Sequence, residues 1–309
     1  MKKNYYITTA IAYASDTPHI GNVYEVILAD AIARFKRLDG FNVYFQTGTD
    51  EHGLKIETKA NKNQIDPQQY VNKISDKIKN IYKSVGVMYD RFVRTTDDNH
   101  KSVVQNIFEI LLKQDDIYLG TYKGWYSVSE ESYIQEKDIV DGKGPRGDNL
   151  VWTEEEVYFF RMSKYQNQLI KYIEANPDFI SPESRKNEMI QNFLSDKLPD
   201  LSISRTSFKW GIPVKNNQNH IIYVWMDALS NYITGLGYNP EKVSYEMEKF
   251  WPADLHLIGK DILRFHTIYW PIFLMALKLP LPKKVFGHPW ILVNKGKMSK
   301  SIGNVMYVD

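Results

Sequence analysis

Cysteine is absent from all 309 residues, which excludes a disulfide scaffold, a catalytic thiol and every thiolate metal site, and fits a reducing compartment. Long apolar runs are missing as well. The longest, Ile268 to Leu277, is about half of the roughly 20 residues that a spanning helix needs. A soluble, cytoplasmic protein with no membrane partner is expected. The first residues imitate a signal peptide, with Lys2, Lys3 and the Ala12-Tyr13-Ala14 triplet, but Thr8 and Thr9 interrupt the apolar core and the segment reads as a buried first strand. Excess charge of one sign is lacking too. Lys plus Arg number 39 and Asp plus Glu 37, a formal charge of +2, so any nucleic-acid contact must be local rather than a bulk electrostatic effect. Neither a low-complexity tract nor a repeat of fixed period is found.

Hydrophobic residues make up 43% and charged residues 25%, as in a globular protein of two domains or one large α/β unit. Tyr5 to Ala10 is aromatic and β-branched, a strand buried on both faces. From Gly21 the apolar residues Val23, Ile27, Leu28, Ala31, Ile32, Phe35 and Leu38 recur at helical spacing, and Gly40 suits a left-handed helix end. Val43 to Thr47 follows as a second strand closed by Gly48, so residues 5 to 48 read as a parallel strand-helix-strand crossover, with ligands beyond the strand ends. Helical patterns recur around Val71 to Tyr82 and Val103 to Leu111. The texture changes over 115–217, which reads as an inserted module. The α/β rhythm returns at Ile221 to Trp225, at Leu255 to Gly259, and in a helix from Ile262 to about Ala276.

Two segments carry chemistry. His19-Ile20-Gly21-Asn22 stands between the first strand and its helix, where backbone amides and the helix dipole favour a phosphate chain. Gly21 allows close approach of a nucleotide, and the His19 imidazole can donate to a phosphoryl oxygen. Lys297-Met298-Ser299-Lys300-Ser301 lies between Gly296 and Gly303. Two mobile ammonium groups there can neutralise charge developing as pyrophosphate departs. Taken singly, His19 could be a loop histidine beside a capping Asn22, and the lysines a solvated basic loop.

With this pair of motifs in this order, the sequence resembles the class I aminoacyl-tRNA synthetases, with their HIGH and KMSKS signatures on a Rossmann-type fold. Among them it is most similar to the methionyl-tRNA synthetases, through Ala10 to Tyr13, Thr47 to Gly53, Tyr223 to Ala228, Gly259 to Ile262 and Phe265-His266. The resemblance implies an α/β fold: a parallel-sheet catalytic domain in halves 1–114 and 218–290, split by a connective-peptide domain at 115–217. Residues 291–309 would hold the KMSKS loop and the start of a stem-contact region, without an anticodon-binding domain, as in a catalytic fragment. It implies ATP-dependent activation of L-methionine to methionyl-adenylate and transfer to tRNA(Met), with Mg²⁺ accompanying ATP. His19, Lys297 and Lys300 would be catalytic. Gly21, Asn22, Gly259 and Asp261 would join them in binding ATP. Asp50 would hold the substrate ammonium, in a pocket with Ile11, Tyr13, Trp225, Ala228, Leu229, Tyr232, Ile262 and His266. A thioether suits such a polarizable, apolar lining. Asp227 is expected to be a helix N-cap or fold-holding group, while His52, His256 and His288 are given no direct ligand contact.

The sequence departs from the family pattern at three places. Asn22 replaces the second signature histidine and cannot carry positive charge. Leu229 stands where many relatives have proline. Ser127 and Glu130 occupy the cysteine positions of a zinc knuckle, so no zinc is expected. The rival readings are another class I synthetase and a catalytically inactive, synthetase-like tRNA-binding protein. The complete lysine motif speaks against the second, and the lack of cysteine and of large insertions narrows the first.

Overall fold

The computed structural model describes residues 2–127, 132–134, 136, 139–144, 147, 149–242, 244–293, 296–297 and 305–308. Its centre is a sheet laid down by strands far apart in the chain. Strand β1 (Asn4–Thr9) is followed by the short β2 (Ala12–Tyr13), helix α1 (Ile20–Leu38) and β3 (Asn42–Asp50). Then come α2 (Leu54–Lys62), α3 (Pro67–Ser84), β4 (Arg91–Arg94) and α4 (Asp98–Lys113). Strands β1 and β3 pair in parallel, with Tyr6 opposite Tyr44, which is the expected crossover. Gly40, at φ +86°, takes the left-handed position after α1.

Two local expectations need correcting. The buried face of α1 is Val23, Val26, Ala29, Asp30 and Ala33, whereas Ile27, Phe35 and Leu38 are exposed. Small side chains let the helix lie close on the sheet, and the larger apolar ones fall outside. Gly48 does not close β3 either. The strand runs through it to Asp50 because a Cβ at Gly48 would come within 2.1 Å of the Val93 carbonyl of β4, so the missing side chain permits the pairing.

The middle of the chain forms mostly antiparallel structure. Strands β5 (Ile117–Ser127), β6 (Ser132–Ile134) and β7 (Leu150–Phe160) are followed by α5 (Gln166–Ala175), β8 (Ile180–Ser181) and α6 (Glu183–Met189). The short β9 (Leu201–Ser202), β10 (Ser204–Arg205), β11 (Pro213–Val214) and β12 (Asn217–Ile222) complete the stretch. One sheet has the order β6-β5-β7-β9 and another β10-β12-β11. The expected insert at 115–217 is not one block apart from the parallel sheet, since β8 pairs in parallel with a later strand. Nor does a parallel strand begin at Ile221. Ile221 and Ile222 end β12 in the small antiparallel sheet, and Val224 already opens α7 (Val224–Thr234).

After α8 (Tyr245–Phe250) the parallel sheet resumes with β13 (Leu255–Gly259). The expected helix from Ile262 is composite: a 3₁₀ turn at Lys260–Ile262, a π segment at Phe265–Tyr269, then α9 (Trp270–Ala276). Strand β14 (Val285–His288) and the hairpin of β15 (Leu292–Val293) with β16 (Gly296–Lys297) follow. The main sheet has the order β2-β3-β1-β13-β14-β8, with β4 beside β3. Strand β1 thus sits between one neighbour from each half of the chain. That reversal of direction opens a crevice at the carboxyl ends of β1 and β13, the usual ligand position in such sheets.

Candidate active site

His19 is the N-cap of α1, its Nδ1 accepting from Gly21 N at 3.0 Å, while Asn22 Oδ1 accepts from His19 N at 3.2 Å. This reciprocal cap answers two otherwise orphaned amides. It also assigns the imidazole: with Nδ1 an acceptor, the proton sits on Nε2, the nitrogen able to donate to a phosphoryl oxygen. The chain beyond the second motif returns to this point. Ile20 N donates to Met306 O at 2.9 Å, and Tyr307 bridges His19.

Asp50 is the last residue of β3, not beyond it, and stands in register with Tyr13 of β2. On α7, Trp225, Ala228, Leu229 and Tyr232 share one face by their spacing. Trp225 stacks on Phe265 with ring centroids 3.7 Å apart. The buried Tyr232 hydroxyl lies 2.6 Å from His266 Nε2, and His266 Nδ1 donates to Ile262 O at 2.9 Å. Burial pushes the His266 imidazole down to about 4, so it is neutral and Nε2 accepts from Tyr232. Helix α7 is fixed to the sheet by Tyr6, whose hydroxyl donates to Tyr232 O at 2.8 Å, and by Gln46, which donates to Asn231 Oδ1 at 2.9 Å. Ile11 lies beside Gly48 of β3.

Asp227 is not an N-cap; Tyr223 holds that position. It is a buried carboxylate accepting from His52 Nδ1 and His100 Nε2, both at 2.7 Å. Burial alone would raise its pKa; the two imidazoles more than offset this and hold it below the ordinary aspartate value. His256, likewise buried, lies 2.7 Å from the Thr8 hydroxyl and accepts from Trp270 Nε1 at 3.3 Å.

Gly259 ends β13, and Asp261 follows in the 3₁₀ turn, where its carboxylate accepts from the Trp290 indole. Below Gly259 lies a pair that sequence reasoning missed. Glu25 accepts from Ala10 N at 2.9 Å and from His288 Nε2 at 3.1 Å. Burial raises the Glu25 carboxyl above its ordinary range. Burial would lower His288, but its bond to Glu25 more than compensates and leaves it raised. The spacing of Glu25 one turn after Asn22 was the available signal. A cavity of about 190 Å³ beside the first motif is lined by Tyr13, Asp16, His19, Asn22 and Lys55 among others; Lys55 was missed as well.

Lys297 is placed by the backbone of β16 opposite Leu292. Lys300 lies outside the described residues with the rest of its motif, as does Glu130. Among the described residues no group of three or more His, Cys, Asp or Glu side chains is gathered for a metal ion, and no helix is long and apolar enough to cross a membrane.

The family model described as tRNA synthetases class I (M) matches residues 5–149 and 145–309. The methionine–tRNA ligase of Enterococcus faecalis is 54% identical over 100% of this chain and 48% of its own length. That of Clostridium perfringens is 59% identical over 99% of this chain and 47% of its own. The chain therefore spans about half the length of the curated relatives it matches. Among solved structures, Mycobacterium tuberculosis methionyl-tRNA synthetase in complex with methionyl-adenylate superposes with a TM-score of 0.93 at 48% identity, covering 98% of this chain and 60% of that one. The apo form of the same synthetase gives 0.81 at 45% identity, covering 94% and 56%.

Proposed function

The chain belongs to the class I (M) tRNA synthetase family, and from that premise we propose that it carries the methionine-activating site of a methionine–tRNA ligase. One observation supports this most: an acidic strand end at Asp50 stands in register with Tyr13; in this reading the stacked Trp225 and the Tyr232–His266 pair complete the same crevice. Asp50 answers the ammonium of methionine; Ile11, Tyr13, Trp225, Ala228, Leu229, Tyr232, Ile262 and His266 surround its side chain. A neutral His266 leaves the pocket uncharged, which suits a thioether.

ATP, with its Mg²⁺ as the substrate complex, binds along the carboxyl ends of β1 and β13. Gly21, Asn22, Gly259 and Asp261 receive the nucleoside and first phosphate. The methionine carboxylate attacks the α-phosphorus in line. One P–O bond forms, the bond from the α-phosphorus to the bridging oxygen breaks, and pyrophosphate leaves with that electron pair. The attacking group is already an anion, so no general base is required and the rate comes from positioning and charge stabilisation. His19 Nε2–H, Lys297 and Lys300 supply the stabilisation. In the second step a terminal adenosine hydroxyl of tRNA(Met) attacks the adenylate carbonyl and releases AMP. The site works without zinc, in the cytoplasm.

Exchange of labelled pyrophosphate into ATP, run with each of the standard amino acids, tests the reading. Exchange dependent on methionine alone is expected. Dependence on another amino acid, or none at all, overturns it.

A further inference from the structure

On the α7 side of the parallel sheet stands a buried imidazole that the proposed chemistry does not use. Along β13 the side chains alternate, Leu255 and Leu257 joining the core beneath α1 and Ile258 the core around α7 and α9. His256 shares the side of Ile258 and has no exposed surface, at a place where a strand buried on both faces favours an apolar residue. An imidazole there is costly unless both ring nitrogens find partners. Both do. Trp270 Nε1, a donor only, donates to Nε2 at 3.3 Å, so the ring proton sits on Nδ1 and is donated to the hydroxyl of Thr8, the register partner on β1, at 2.7 Å. Burial and the nearby His266 keep the ring uncharged. Hydrogen bonds at both nitrogens fix the plane of this ring, which an apolar side chain would leave to packing alone.

Tyr232 lies against that plane, with ring centroids 4.2 Å apart and 31° between the rings. Its two ends are held by other groups. Tyr6 donates its hydroxyl proton to the Tyr232 carbonyl at 2.8 Å, and the Tyr232 hydroxyl reaches His266 Nε2 at 2.6 Å. His256 therefore bears on the tyrosine ring between these two points, with Trp270 flanking the same ring at 5.8 Å.

Resting on the proposed activation of methionine, we infer that His256 is a positioning residue: its ring, braced by Thr8 and Trp270, seats the Tyr232 ring so that the hydroxyl meets His266, and thereby sets the length of side chain that the methionine pocket accepts. Without the imidazole, Tyr232 settles into the space left behind, because a cavity beside a buried ring destabilises the core until a neighbour fills it. The pocket then lengthens by about one methylene, the step from methionine to ethionine.

His256→Asn and His256→Phe variants of the whole chain test this, with thermal stability without ligand measured first. Asparagine keeps a donor for Thr8 but has no ring; phenylalanine keeps a ring but pairs with neither Thr8 nor Trp270. Both should be less stable than the wild type, and their selectivities should part. In pyrophosphate exchange, the ratio of kcat/KM for methionine over ethionine should fall about tenfold in His256→Asn, at the lower end of the roughly 10- to 200-fold that one methylene is worth. The fall should come through a raised methionine KM rather than kcat, and His256→Phe should keep most of the ratio. Nitrogen-15 NMR of the imidazoles gives a readout that needs no activity: the His266 Nε2 signal should move towards that of a nitrogen without a donor in His256→Asn and stay in place in His256→Phe. A ratio that follows the loss of stability in both variants, or that is unchanged in His256→Asn, overturns the inference. So does an unmoved His266 signal in His256→Asn. If that variant does not fold, Thr8→Val, which replaces the hydroxyl facing Nδ1 by a methyl, carries both measurements: smaller shifts in the same directions are expected, and none overturns the inference. If the wild-type chain shows no methionine-dependent exchange, the activity proposed above falls, while the His266 signal still decides whether His256 seats Tyr232.

Discussion

In the proposed site, Asp50 and Tyr232 divide the recognition of one small zwitterion. Replacing Asp50 by alanine removes a charge-assisted contact to the ammonium, worth about 1.5–3 kcal/mol in a desolvated site. The methionine KM should rise roughly ten- to a hundredfold, read from exchange kinetics, with the fold intact by circular dichroism. Tyr232 works on the side chain instead. Tyr232→Phe leaves His266 Nε2 buried without its donor at 2.6 Å, a cost of about 1–3 kcal/mol. Methionine binding should weaken while kcat changes little. Because burial pushes His266 down to about 4, titration of this residue should leave the methionine KM flat between about pH 6 and 8. At this scale the sequence was informative where a motif fixed both residue type and place, as for His19 before its helix and Gly259 at its strand end. For Glu25 it offered only the spacing from Asn22, because a carboxylate on a helix has the pattern of an exposed charge until its partner across the fold, here His288, is known.

Helix α7 shows what holds an element in place when it is buried nearly all round, polar stripe included. Its buried anchor is Asp227, clasped by imidazoles from the segment after β3 and from α4. Removing one partner of such a group strands the others, at a cost of about 3–5 kcal/mol. Asp227→Asn should lower the melting temperature at neutral pH. The pH dependence follows from the sign of the shift. A carboxylate held below its unfolded value stabilises the protein above that unfolded value, and this stability is lost as pH falls through the lowered folded pKa. Wild-type stability should thus fall below about pH 4, and the acid limb of Asp227→Asn should be shallower when melting is followed from pH 3 to 7. Helices α3 and α4 could be read from their period; the face of α1 could not. Apolar residues surround much of α1, and choosing the buried ones requires knowing that Ala29 and Ala33 meet a sheet. The short β4 and β8 were missed because four residues or two carry no periodicity, and their pairing comes from partners distant in sequence.

On the scale of the molecule, the sheet is a splice. Strand β1 pairs with β3 close by and with β13 about 250 residues on, Ile7 opposite Leu255, so neither half of the parallel sheet is complete without the other. The alternation of patterns made the parallel fold and its crevice legible. The return of the chain through β8, inside the stretch read as an insert, was not.

The return of residues 305–308 to α1 has a mechanical consequence. Met306 O holds Ile20 N, and Val308 packs against the core beneath α1. On the other side of the lysine motif, β15 and β16 close a hairpin. The span between Lys297 and Val305 is therefore tied down at both ends, and at roughly 3.3–3.6 Å per residue its contour cannot exceed about 29 Å. In the proposed site a short leash of this kind limits how far the lysine motif can stray from the α1 amides, so its encounter with a bound triphosphate is an intramolecular event. The farther buckle of that leash, Val308, is apolar and packs on the core. Val308→Asp should loosen it, lowering kcat for pyrophosphate exchange severalfold while the methionine KM stays put, a loss of rate produced by slack alone.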